Sequence, residues 1–491
     1  MVLYSNLRSI SQIMTLATLL TIHLQFAAIF TDNMVLQRGQ PVHVWGRGAP
    51  GERVTVWLGG LRVTAVVQAD SAWGVYFQAQ GADSVGRELR VVSGRDSLRV
   101  RNILFGDVWV CVGQSNMEFP MSGERYFSEE KTFAGQPSIR LYNPSFIGKN
   151  VYGRAFTDSM LRLLTPGAFY QGVWSVCDSV TVRTMSAVGY YFGKAIVDKE
   201  HVPIGLIHLA IGGCPIETFL SRDALREFPG KLDSPWLENN TLPVWVRERG
   251  RQNVGTGGDA HGYKPGWAFA AGIAPILPMP IKGIIWYQGE SNSQEPERVE
   301  EYPRLQKAMI EDYRKKWRQP HLPFYWVQLS SIDTVQYKSR YWPAFRDGQR
   351  RLLAEIADGG MAVCSDIGAR DNVHPADKRT VGQRLARWAL HDVYGEKGLV
   401  VSGPLPLRAS YARDTVTIYF QYGRGLRTAD GGALRGFYIN GAAPAFIQGD
   451  HVVLPVKGKP AAVYYGWEPF TNANLVNEDE LPASTFKMNI P

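Results

Sequence analysis

The sequence predicts an α/β fold: a central parallel sheet with helices on both faces, flanked by N- and C-terminal β-sandwich-like domains. Residues 101 to 397 alternate apolar strand-like runs with helical stretches, the pattern of a parallel sheet covered by helices. Residues 29 to 100 and 398 to 491 instead alternate short apolar runs with Gly, Pro and Asp turns, the pattern of antiparallel β-structure. A chain of 491 residues exceeds what one core usually holds, so two or three domains are expected.

Residues 1 to 28 open with one positive side chain, Arg8, and continue as a mostly apolar stretch from Ile10 that ends near Ala27 and Ala28. This composition predicts a secretory signal and an exported protein, periplasmic or secreted. No later apolar run of about 18 residues follows, so no stable membrane partner is expected. The runs VHVWG, RVTVWLGG and ELRVVSG then supply the N-terminal β-domain.

The segment from Phe105 to Met121, FGDVWVCVGQSNMEFPM, begins the α/β region. Its apolar run from Val108 to Val112 reads as a buried strand, and Gly113 breaks it where a tight turn would push Ser115 out of the sheet's end. In PIGLIHLAIGGCPIE a strand from Ile204 to Ile211 stops at Gly212 and Gly213, whose amides lie open because neither residue has a side chain. In IKGIIWYQGESN a strand from Gly283 to Tyr287 stops at Gln288, Gly289, Glu290, Ser291 and Asn292, and a helix, PERVEEYPRLQKAMIEDYRKKWRQ, follows. FYWVQLSS, at 324 to 331, is a further strand. In MAVCSDIGARDNVHPADKRTVGQRLA a strand from Met361 to Cys364 leads through a polar loop to a helix from Ala376 to Tyr394. From Leu399 onward TVTIYFQY, GFYING, HVVLPV and AAVYYGW return to short strands.

A serine hydroxyl is a poor nucleophile at neutral pH and needs a base, usually a histidine held by a third group. Of the nine histidines, His374 alone has a carboxylate, Asp371, at helix-compatible spacing after a strand. Backbone amides at Gly212 and Gly213 and side-chain amides at the end of the third block are the materials of an oxyanion hole.

These four blocks resemble the sialate O-acetylesterases, within the wider group of serine esterases and lipases named for their Ser, Gly, Asn and His blocks. The carriers are GDVWVCVGQSNM, IGLIHLAIGGCPIE, IKGIIWYQGESN and DNVHPADKRTVGQRLA, with weaker echoes from Ile29 to the C-terminus. The resemblance implies an SGNH-hydrolase-like scaffold with Ser115 as nucleophile, His374 as general base and acid, and Asp371 as the residue that orients His374. It implies Gly213 and the Ser115 amide as oxyanion donors, with Gln288 as the side-chain donor and Asn292, four residues on, as the alternative. Cys214 departs from the Thr, Ser or Ala usual after the glycines and leaves the local pocket lining open. The expected reaction is hydrolysis of O-acetyl esters on sugars, sialic acids first, with no metal and no organic cofactor. An esterase acting on acetyl-xylan or another polysaccharide is the enzymatic alternative, and a carbohydrate-binding protein with a dead site the non-enzymatic one.

The formal net charge of +8 is spread through the chain without a basic run, which predicts no nucleic-acid partner but favours anionic substrates. Arg346 and Gln349, in FRDGQ, are expected to touch substrate, and Trp286, Tyr287 and Trp342 to be either core or sugar-stacking. The four cysteines show no CxxC spacing, so neither a zinc site nor a disulfide framework is expected. The oligomeric state is not readable from sequence.

Overall fold

The computed structural model of the protein describes residues 23–491. Most of the expected signal peptide, residues 1–22, lies outside the described residues. Its last part does not: Leu24 is buried, and the strand Gln25–Phe26 pairs antiparallel with Arg47 and Gly46. A leader ending at Ala28 would remove this edge strand, so the folded body starts earlier than residue 29.

The central sheet contains β1 (Asp96–Gly113), β2 (Gln136–Tyr142), β3 (Trp174–Cys177), β4 (Ile204–His208), β5 (Gly283–Tyr287), β6 (Phe324–Gln328) and β7 (Gly359–Val363). Their order is β3-β2-β4-β1-β5-β6-β7; β3 is antiparallel to β2, and every other neighbouring pair is parallel. β4, β5 and β6 are buried along their whole length, which is why they read as unbroken apolar runs. After β1 the chain crosses to β2 and β3 at one edge, returns to β4 beside β1, and then crosses to β5 on the other side of β1 and builds outward to β7. The strand order therefore reverses at β1, and a crevice opens beyond the carboxyl ends of β1, β4 and β5.

Four helices cover the sheet: α1 (Ala187–Glu200), α2 (Pro296–Trp317), α3 (Trp342–Arg351) and α4 (Arg379–Asp392). Trp286 is in register with Val112, three residues after Trp109, so the two indoles leave the sheet on opposite faces. Trp109 meets Phe192 of α1 with ring centroids 4.9 Å apart, and Trp286 Nε1 donates to Tyr302 Oη of α2 at 3.1 Å. Helices thus lie on both faces. α4 crosses α1 at Gly382, where a Cβ would lie 2.7 Å from that of Tyr191. α3 packs on α2 through Phe345 and Tyr302, centroids 4.4 Å apart.

β1 belongs to two sheets. Its first part pairs antiparallel with the strand Asp83–Ser93 of the N-terminal β-region, and its last part is the middle of the central sheet. Accordingly one hydrophobic core runs from the N-terminal strands into the central sheet, while residues between Ala409 and Ile490 form a second core of their own. No helix among the described residues is long and apolar enough to cross a membrane. All four cysteines are free and buried.

Candidate active site at the carboxyl ends of the central strands

β1 and β5 end side by side at very short range. A Cβ on Gly113 would lie 2.1 Å from the Tyr287 carbonyl oxygen, and φ there is +139°, so only glycine fits. Beyond it the chain winds into one helical turn, Ser115–Glu118, whose Met117 and Glu118 amides both donate to Gln114 O at 2.9 Å. Ser115 is the first residue of that turn, half-buried on a pocket wall, and its own amide has no acceptor among the described residues. From β4 the chain reaches Gly213, where φ is +75° and a Cβ would lie 2.6 Å from Tyr263 Oη. The Gly213 amide likewise has no acceptor among the described residues and lies on the same pocket. Cys214 turns inward, its thiol 3.4 Å from Gly113 O, and is not part of the pocket lining.

The expected side-chain donor is corrected by the structure. Gln288 is fully buried and its Nε2 is spent on Asn292 Oδ1 at 2.8 Å, Gln114 Oε1 at 3.1 Å and Cys214 O at 3.3 Å. Asn292 is also fully buried: its Nδ2 donates to Glu217 Oε2 at 3.0 Å and its Oδ1 accepts from Ile216 N at 3.0 Å. Neither amide reaches the pocket. Gln114 does. Its Oε1 accepts from Gln288 Nε2, from Gly289 N at 3.3 Å and from Ser291 N at 3.2 Å, and three donors around one atom fix it as the oxygen. Nε2 then lies on the other side of the amide, without an acceptor among the described residues, in a residue that lines the pocket beside Ser115.

His374 stands in the loop between β7 and α4, half-buried on the same pocket as Ser115. Its Nε2 is buried without a partner among the described residues. Burial, helped by the nearby Lys378 cation, lowers the imidazole to about 4, so the ring is neutral at pH 7 and able to accept a proton. Asp371 shares the loop but is exposed and forms no hydrogen bond to His374 in this structure.

Three residues in these blocks to which no role was given form a buried chain behind the site. Lys378 Nζ donates to Asn116 Oδ1 at 2.5 Å, and Asn116 Nδ2 donates to Glu290 Oε1 at 2.5 Å and to Val373 O at 2.9 Å. Asn116 therefore ties the residue before His374 to the turn that carries Ser115. Burial pulls Lys378 down to about 7 against the attraction of Glu290, and burial raises Glu290, a pocket-lining residue whose Oε2 is buried with no partner among the described residues. Each stands in a polar run of its block, QSN, QGESN or ADKR, so nothing in the sequence set it apart from its polar neighbours.

Arg346 and Gln349, expected at the substrate, are both fully buried away from the pocket because α3 presents them to the sheet and to the C-terminal β-region. Arg346 donates to Ser331 Oγ at 3.0 Å, to Gly466 O at 3.1 Å and to Glu468 O, and burial lowers its guanidinium to about 9. Gln349 Nε2 bridges Val327 O at 3.0 Å and Gln288 O at 3.3 Å, fastening β5 to β6. Trp286, Tyr287 and Trp342 are core. The aromatic walls come instead from Tyr152, Trp245, Tyr263 and Tyr337, around a pocket of about 430 Å³, a size that suits one sugar.

A family model described as carbohydrate esterase, sialic acid-specific acetylesterase, matches residues 269–391. The chain is 31% identical over 412 residues to the sialate O-acetylesterase of Homo sapiens, an alignment covering 78% of this chain and 73% of the relative. It is 30% identical over 426 residues to that of Mus musculus, covering 78% and 76%. Among solved structures, a carbohydrate acetylesterase from Xanthomonas citri is similar with a TM-score of 0.79 and 31% identity, over 95% of this chain and 99% of that one.

Proposed function

We propose, from the premise that the chain belongs to the sialate O-acetylesterase family, that it removes O-acetyl groups from sugars, sialic acids first, through an acetyl-serine intermediate. One observation supports this above the others: Ser115, a neutral His374, two free backbone amides and the Gln114 amide converge on a single sugar-sized pocket. The strand order that reverses at β1, with the nucleophile in the turn after it, supports an SGNH-hydrolase-like scaffold.

In the reaction His374 takes the proton of Ser115 as Oγ attacks the acetyl carbonyl. The oxyanion is held by the amides of Ser115 and Gly213 and by Gln114 Nε2. The tetrahedral intermediate expels the sugar hydroxyl, which receives the proton from His374, and leaves acetyl-Ser115. Water, deprotonated by His374, then attacks the acyl-enzyme and releases acetate and free Ser115. Asp371 is assigned the orientation of His374 through a hydrogen bond that forms in the Michaelis complex. Asp371→Asn is then expected to lower kcat at least about 10²-fold by favouring the wrong tautomer; a loss below about tenfold would leave Asp371 without that role.

Acetate release from O-acetylated sialic acid, measured beside release from acetyl-xylan, tests the substrate class. Faster turnover of acetyl-xylan would replace sialic acid by polysaccharide. Labelling of Ser115 by an organophosphate probe separates an esterase from a sugar-binding protein with a dead site. Export of the protein, read from residues 1–28, is tested by N-terminal sequencing of the mature chain.

A further inference from the structure

Arg249 lies on the helix Val244–Val254, and this helix is fastened to the turn after β5. Val244 N donates to Glu295 Oε1 at 3.0 Å and Trp245 Nε1 to Ser291 O at 3.4 Å. At Gly250 a Cβ would lie 2.5 Å from the Trp236 ring, so the helix sits tightly against its support. Arg249 is thereby held on the wall of the pocket that contains Ser115 and His374. Its guanidinium lies 5.3 Å from the centre of the Tyr152 ring, and among the described residues it meets no carboxylate. A Cβ on Gly212 would in turn lie 2.9 Å from Tyr152 Oη, so the Arg249–Tyr152 pair abuts the glycine block of the oxyanion hole.

The other cations near the site are already engaged. Lys149, on a second hollow that also touches Ser115 and His374, is ion-paired with Glu118 at 3.4 Å. Lys378 is sealed beneath Asn116. The charge of Arg249, by contrast, opposes the burial that raises the Tyr152, Tyr263 and Tyr337 hydroxyls, so its field is felt along the aromatic walls. Gln294 and Gln336, on the same lining, add side-chain amides suited to sugar hydroxyls.

We infer that Arg249 is a specificity-determining residue: it receives the carboxylate of an acidic sugar while an O-acetyl group of the same sugar stands at Ser115. A planar guanidinium pairs with a carboxylate through two parallel hydrogen bonds, and aromatic walls that exclude water strengthen the pair. A neutral sugar leaves that guanidinium without a partner. The inference rests on the sialate reading above and adds the group that selects the acid.

The test measures acetate release from O-acetylated N-acetylneuraminic acid and from its carboxyl methyl ester, by the wild type, Arg249→Gln and Arg249→Lys, with thermal melting to confirm that each variant is folded. The wild type should prefer the free acid by about tenfold or more in kcat/KM. Arg249→Gln should lose about ten- to hundredfold on the acid, chiefly through KM, and much less on the methyl ester, so that the preference disappears. Arg249→Lys should fall between them. A preference kept intact in Arg249→Gln, or an equal loss on both substrates, overturns the inference. A wild type that releases acetate from acetyl-xylan fragments but from neither sialate overturns the sialate reading itself, before any variant is compared.

Discussion

The turns after β1 and β5 are neighbours, each pairs a glutamine with a glycine of positive φ, and they use the glutamine in opposite ways. In the first turn the glycine comes before the glutamine: Gly113, with φ +139°, ends the strand, and Gln114 is swung out over the pocket. In the second it comes after: Gln288 still belongs to the alternation of β5, two residues on from Trp286, and only at Gly289, with φ +151°, does the chain turn. Gln288 is therefore consumed inside the fold, and its amide secures the one that faces substrate. Side-chain type alone does not mark an oxyanion donor; the position of the break in the strand decides which way the amide looks.

Four measurements would break or sharpen this contrast. The largest effect belongs to the first turn itself: Ser115→Ala should lower kcat on aryl acetates at least about 10⁴-fold with an unchanged circular dichroism spectrum. Retention of about a tenth of the activity would place the nucleophile elsewhere. Next, Gln114→Ala should lose about 10²- to 10³-fold in kcat with KM nearly unchanged, the signature of an interaction made in the transition state. Gln288→Ala should be the gentler change for catalysis, about tenfold or less, and the harsher one for stability, about 1–3 kcal/mol, because it strands buried acceptors. If steady-state kinetics and denaturant unfolding rank the two the other way round, the contrast fails.

The smallest effect is a displacement of the pH profile. His374 must be neutral to act as base, and its depressed value means that protonation, and loss of rate, set in only as pH falls through about 4. The acid limb of log kcat/KM should lie there, well below the ordinary histidine range, and Gln114→Ala should keep the same limb because an amide does not titrate. A limb near the usual histidine value of about 6.5 would show that burial does not govern His374.

The sheet was legible because its signal is local. β5 spans the residues expected of it, Gly283–Tyr287. β4 was expected to run to Ile211 but ends at His208, since β2 stops at Tyr142 and leaves one side unpaired; Leu209 and Ile211 still donate to Cys111 O and Gly113 O at 2.9 and 3.1 Å. The glycines that mark the turns were legible too. What could not be read were partnerships between distant segments. Gln114 and Gln288 are 174 residues apart, and nothing in either block says which amide clamps the other. Arg346 offers a sharper case: its partners at Gly466 and Glu468 are backbone carbonyls, which leave no mark in a sequence. A buried guanidinium serving as a tether and one that awaits a carboxylate look the same in one dimension.

β1 runs for 18 residues from the N-terminal β-region to the threshold of Ser115. A shared strand of this kind makes the two regions one piece of architecture. Cutting the chain ahead of β1 would strip the first half of the strand of its antiparallel partner and expose a row of unpaired backbone groups, an invitation to intermolecular pairing. There is no seam ahead of β1 at which a smaller esterase could be excised. Local opening should be just as indivisible: backbone amides in the first half of β1 and those next to the nucleophile should exchange with solvent as a single cooperative unit.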